Sequence, residues 1–134
     1  MGFLNKLQPL GLVVLRVVVG LIMAAHGWQK IHGGTGHFVQ TVHGLGMPAV
    51  LAYVAIATEF LGGILLIVGF GTRIAALFIC AEMAVAISKV HWHNGLTAEH
   101  GYQFPLSLAA AAFLLIFFGA GEMSVDWLVG ARGK

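Results

Sequence analysis

Four apolar stretches of about twenty residues constrain this chain more than any other feature. A bilayer core about 30 Å thick takes about 20 helical residues to cross. The windows Leu10–Gln29, Ala49–Phe70, Thr72–Val90 and Phe104–Ala120 meet that length. Lipid offers no partner to a backbone N–H or C=O, so runs of this kind must be helical. Pro9, Pro48 and Pro105 stand at or near helix starts, where a missing N–H costs little. Gly69 and Gly71 bracket a very tight turn, which makes the second and third helices antiparallel neighbours. The expected fold is an all-α membrane protein, a four-transmembrane-helix bundle in a single domain over residues 1–134.

Composition agrees. The chain is 59% hydrophobic and only 9% charged, against about 25% charged in a soluble domain. Its seven Lys and Arg residues are scattered, so there is no nucleic-acid footprint. Cys80 is alone and lies mid-segment, which excludes an internal disulfide and suits a small apolar residue. Met23-Ala24-Ala25 has a faint look of a signal cleavage site. The apolar run before it is long and contains Arg16, so it reads as a retained helix.

Orientation follows from cations in the short loops. One side carries Lys6, Arg73, Arg132 and Lys134; the other carries Lys30 and Lys89. The first side is expected to be cytoplasmic, with both termini inside. Trp28 and Trp92 fit an outer aromatic belt and Trp127 an inner one. Ser124–Val129 reads as a short amphipathic turn on the inner surface. His43-Gly44 before Pro48 and His100-Gly101 before Pro105 hint at a duplicated hairpin. The match is short enough to arise by chance.

Three ionisable residues fall inside the windows. Glu59 and Glu82 lie near mid-depth and Arg16 nearer the inner side. A charge at the centre of a bilayer costs about 2.5–3.5 kcal/mol on insertion scales. Burial inside the bundle lowers that cost. Ala52, Ala55, Glu59, Gly62 and Gly63 share one helical stripe. Ala75, Ile79, Glu82, Ala86 and Lys89 share another, and Arg16, Gly20, Met23 and Gly27 a third. Small residues let helix backbones approach closely, so these stripes should face neighbours. The simplest arrangement pairs Arg16 with Glu59 or Glu82. Such a pair could fix helix register, or the acids could form a proton relay or polar pocket.

All seven histidines fall in two stretches expected on the same, outer, side: His26, His32, His37 and His43, then His91, His93 and His100. His26 sits just inside the membrane boundary, where an imidazole can titrate, donate to a carbonyl or ligate a metal. His91 and His93 would form a chelate if that segment is extended. They are weak metal candidates, because no tight His/Cys spacing of a zinc site is present. A two-haem relay across the bilayer would want histidines at both depths, and only one depth has them. No iron–sulfur motif is present either. A quinone site needs an apolar cleft with one or two polar groups for the ring oxygens. His26, Lys30, Tyr102 and Gln103 could supply them.

Several motifs bear on family. They are Leu15-Arg16 through Gly20, followed by His26-Gly27-Trp28-Gln29-Lys30, and Ala57-Thr58-Glu59-Phe60-Leu61-Gly62-Gly63, followed by Gly71-Thr72-Arg73. His91 to Asn94-Gly95 and Gly101-Tyr102-Gln103-Phe104-Pro105-Leu106 complete the set. Together, over nearly the whole chain and in this order, they resemble DoxX-type membrane proteins. The resemblance implies a four-helix inner-membrane protein related to the DoxD subunit of thiosulfate:quinone oxidoreductase. It marks Arg16, His26, Lys30, Glu59, Gly62, Gly63, Asn94, Tyr102 and Pro105 as family-pattern positions. Gln103 departs from the glutamate many relatives carry in the Gly-Tyr-x-Phe/Tyr-Pro motif, which removes a proton acceptor there.

The functional expectation is a small membrane subunit of a quinone-linked redox system with its site facing outward. His26, Glu59 and Glu82 are the catalytic candidates. His26, Lys30, Arg16, Tyr102 and Gln103 are the candidates for holding the quinone. Membrane lipid and either a second copy or another redox subunit are the expected partners. Proton or small-solute transport, motivated by the two acids, is the alternative, and a non-catalytic membrane scaffold is a third.

Overall fold

The longest apolar run folds as one uninterrupted helix. In this computed structural model, which describes residues 1–130, a four-residue helix α1 (Gly2–Asn5) leads into α2 (Gln8–Gly33). Twenty-six residues rise about 39 Å, more than a bilayer core requires. Pro9 sits in its first turn, and the Gly33-Gly34 pair ends it. Two further helices follow: α3 (Thr35–Gly44) and α4 (Val50–Val68). A turn through Gly69 and Gly71, both left-handed (φ 75° and 58°), reverses the chain into α5 (Thr72–Ala86). A π turn (Ile87–His91) and a 3-10 turn (Trp92–Asn94) prolong α5. The chain closes with α6 (Gln103–Phe118) and the short α7 (Val125–Gly130). Arg132 and Lys134, two of the cations used for orientation, lie outside the described residues.

Three helical stretches, Gln8–Gly33, Val50–Val68 and Thr72–Asn94, are long and apolar enough to cross a membrane. The expected fourth span, α6, is apolar but has only 16 residues, a rise of about 24 Å. It is shorter than its window because Gly119, at φ 71°, ends the helix. The stretch between the first two apolar windows, rich in glycine and histidine, is also helical rather than a loop. Phe38, Val42 and Leu45 recur at helical spacing, and α3 turns them toward the bundle as one face.

α2 packs mainly on α4, and α5 on α6. The α2–α4 contact is backbone on backbone. A Cβ on Gly20 would stand 2.5 Å from the Gly63 carbonyl oxygen, and one on Gly63 2.6 Å from the Ala24 nitrogen. Gly27 lies equally close to Phe60. Without a hydrophobic driving force in lipid, such close approach supplies the dispersion contacts that hold helices together. Met23, Leu66, Ile79 and Leu115 fill the centre of the bundle and are almost wholly buried. Leu61, Ile74, Phe113 and Phe117 point outward, the pattern of a lipid-facing surface.

At the α7 end, polar groups lock the loops. The Arg16 guanidinium donates to the Ala120 carbonyl (2.8 Å) and the Met123 carbonyl (3.1 Å). The Asp126 carboxylate accepts from the Gly71 and Thr72 amides, two of the free donors at the start of α5. Arg73 donates to the Ile116 and Phe117 carbonyls at the end of α6.

Candidate functional site

At the opposite end, α3 covers a cavity of about 500 Å³ between α2, α4, α5 and the start of α6. Its walls are mostly apolar. Phe38 and Val42 come from α3, Phe78 and Met83 from α5, and Phe104 and Leu108 from α6. A few polar side chains interrupt them: His26, Lys30, Thr58, Glu59, Glu82 and His91 among others. That volume and that mixture are typical of sites for small organic ligands, which span about 300–1,000 Å³.

The electrostatic centre is Lys30 and Glu59. Lys30 Nζ lies 2.6 Å from Glu59 Oε1 and 2.7 Å from Oε2. The glutamate side chain is 3% exposed and the lysine 27%. Lys30 lays its apolar stem along the bundle to reach this depth. The Phe38 ring centroid sits 4.4 Å from the ammonium, so α3 adds a cation–π contact. Glu82 lines the same cavity, with Glu59 and Lys30 as the charged groups acting on it. Its Oε1 is buried with no hydrogen-bond partner.

The expected pairing of Arg16 with Glu59 or Glu82 does not form. The Gly20–Gly63 contact sets the register, and in that register Arg16 lies against Gly69. Gly69 is ten residues along from Glu59, about 15 Å of helix. Arg16 is buried beside carbonyl oxygens at the α7 end, away from the cavity.

Two imidazoles are fixed by carbonyls, which can only accept. His26 Nδ1–H donates to the Ile22 carbonyl at 2.8 Å, and His91 Nδ1–H donates to the His100 carbonyl at 2.7 Å. Asn94 donates to the same His100 oxygen, and His100 is left-handed (φ 61°) to present it. His93 does not join His91. The segment is helical rather than extended, so neighbours two apart diverge. Among the described residues no three His, Cys, Asp or Glu side chains are grouped to hold a metal.

Tyr102 stacks on Trp92 with ring centroids 5.3 Å apart. Gln103 is exposed at the start of α6. Neither lines the cavity, whereas their neighbours Phe104 and Pro105 do. Thus His26, Lys30, Glu59 and Glu82 come together, and Arg16, Tyr102, Gln103 and His93 stand apart. The α3 residues Phe38, Thr41 and Val42 were not singled out in the sequence. Their helical spacing is the signal that would have found them.

Comparison with known proteins gives the family. The DoxX family model matches residues 11–92. "Putative oxidoreductase CatD" of Bacillus subtilis is 36% identical over 87 residues, 65% of this chain and 64% of CatD. The chain thus spans a little under two thirds of CatD. Two Escherichia coli relatives are covered almost throughout. "Inner membrane protein YqjF" is 28% identical over 96% of this chain and 99% of its own. "Inner membrane protein YphA" is 32% identical over 89% and 90%. No solved structure matches the chain. The matched segment holds α2 through the π turn, and so the glycine contact, the ion pair and most of the cavity wall. The chain belongs to the DoxX family of small integral-membrane proteins and is a multi-pass protein of the inner membrane.

Proposed function

We propose that this protein is a small membrane subunit of a quinone-linked redox system, and that its cavity receives the quinone ring. The observation that carries the reading is an apolar chamber of about 500 Å³ holding one buried ion pair, a second carboxyl and two oriented imidazoles. A flat ring with polar groups at its edge fits the size and mixture of such walls. Phe38, Phe78 and Phe104 would flank the ring, while His26, His91 and Glu82 would meet its oxygens. A bound quinone would supply two-electron redox chemistry, with electrons exchanged through a donor protein. The family and the oxidoreductase name of CatD support a redox role.

In this reading α6 is the fourth span, both termini are cytoplasmic, and the α3 end with its histidines faces outward. Tyr102, Gln103 and Arg16 hold the scaffold rather than the ring. A transport reading draws on Glu59 and Glu82. The packed layer of Met23, Leu66, Ile79 and Leu115 between the cavity and Arg16 favours a one-sided site.

The test is reduction of a short-chain quinone analogue by purified protein with candidate donors, thiosulfate among them. Wild-type protein should raise the rate, and His26→Ala should lower it. Equal rates with and without protein would remove the proposal.

A further inference from the structure

The hydrogen-bonding groups of the cavity are unevenly divided between donors and acceptors. His26 and His91 each commit Nδ1–H to a backbone carbonyl. As neutral imidazoles they keep only the Nε2 lone pair, an acceptor. Glu82 Oε1 is a third acceptor, buried and unpartnered. Most of the donors are committed, the proton between Glu82 and the hydrogen-bonded Glu59 among them. Lys30 gives two of its three N–H groups to the oxygens of Glu59 and stands over the Phe38 ring, and Thr41 gives its hydroxyl to the His37 carbonyl. Pro105 has no N–H. Lys89 lies on the exposed edge, and the Thr58 hydroxyl can take either role.

A quinone carbonyl can only accept. Set against such walls it would leave acceptors facing acceptors, the buried Glu82 Oε1 among them, an arrangement that costs free energy on both sides. A hydroquinone carries two O–H donors at opposite ends of a flat ring and answers two of them. We infer that the cavity is built for the hydroquinone form of its ring ligand, whose two hydroxyls donate to two of the three acceptors His26 Nε2, His91 Nε2 and Glu82 Oε1. This rests on the proposed ring-binding role and names the redox form that the site selects. It also makes His91 and Glu82 acceptors open to the ligand.

The test is equilibrium binding, which needs no turnover. The protein in lipid nanodiscs is titrated anaerobically with three probes: a short-chain trimethylhydroquinone, the matching quinone, and the hydroquinone dimethyl ether. Each good hydrogen bond to such an acceptor is worth about a factor of ten. With two such bonds the hydroquinone should therefore bind about a hundredfold tighter than either other probe. His26→Phe keeps a ring of similar shape and loses only a bond within its own helix. It should narrow the ratio. Glu82→Gln adds an amide donor and should shift the preference toward the quinone. Equal affinity for all three probes, or tighter binding of the quinone by wild-type protein, overturns the inference while leaving the ring site standing. Failure of all three to bind overturns the ring site itself. The wild-type ratio decides the question even if a variant fails to fold.

Discussion

The Lys30 ammonium bridges both carboxylate oxygens of Glu59, at 2.6 and 2.7 Å, across 29 residues of sequence. The bond ties the end of α2 to the middle of α4 and places a neutral ion pair in an apolar wall. Buried pairs of this kind are poor stabilisers compared with apolar packing, but removing one partner strands the other.

Lys30→Met should therefore destabilise the protein by about 3–5 kcal/mol, because Glu59 is left buried and unpaired. Adding Glu59→Gln should restore most of the loss. Thermal unfolding of both single variants and the double variant in one detergent checks this. Additive losses would show that the two residues do not act as a pair.

The α2–α4 contact makes a sharper distinction between adjacent glycines. A Cβ on Gly63 would meet backbone at 2.6 Å, whereas one on Gly62 would find Ile79 side-chain atoms at 3.6 and 3.7 Å. Gly63→Ala should cost about 1–3 kcal/mol as overpacking. Gly62→Ala should be close to neutral. Melting temperatures of the two variants report the difference.

Arg16 fastens the segment after α6 onto α2. Replacing it by methionine removes two charged hydrogen bonds to carbonyls, each worth about 1.5–3 kcal/mol. Amides of residues 121–130 should exchange at least about tenfold faster, while ring-ligand affinity at the far end stays unchanged. Arg16→Lys should not rescue, since one ammonium lacks the planar fork that spans both oxygens. Hydrogen exchange followed by mass spectrometry distinguishes these outcomes.

Topology is accessible through two glycines that have open space around them, Gly36 in α3 and Gly2 in α1. In a Cys80→Ala background, Gly36→Cys should react with an impermeant maleimide on intact cells. Gly2→Cys should react only after permeabilisation. The reverse pattern would place the cavity on the cytoplasmic side.

The helices were legible because apolar runs of bilayer length leave the backbone no other option, and Gly69 and Gly71 announced their turn. The stripes Gly20–Met23–Gly27 and Ala52–Glu59–Gly63 were legible because small residues at helical spacing mark close contacts. The ion pair was not. It depends on the relative depth of two helices, which the Gly20–Gly63 contact sets and which no periodicity within one helix contains. Arg16 was matched to a carboxylate because a charge suggests a counter-charge, yet carbonyl oxygens beyond the end of α6 serve it instead. α3 was hidden because its glycines and histidines read as loop, and its apolar face spans only Phe38 to Leu45. Tyr102 and Gln103 were placed in the site by residue type alone. Trp92 stacking and the start of α6 account for their positions.

On a uniformly wound α-helix, positions nine apart are about half a turn out of phase. Glu82 and His91 are nine apart on one continuous helical stretch, yet both border the same chamber. The wide turn at Ile87–His91 supplies the missing rotation. It works as a phase adjuster, letting a single rod present a carboxyl and an imidazole to one occupant. Rewinding that turn as ordinary α-helix, with no residue removed, would swing the imidazole away, with the acid left where it was.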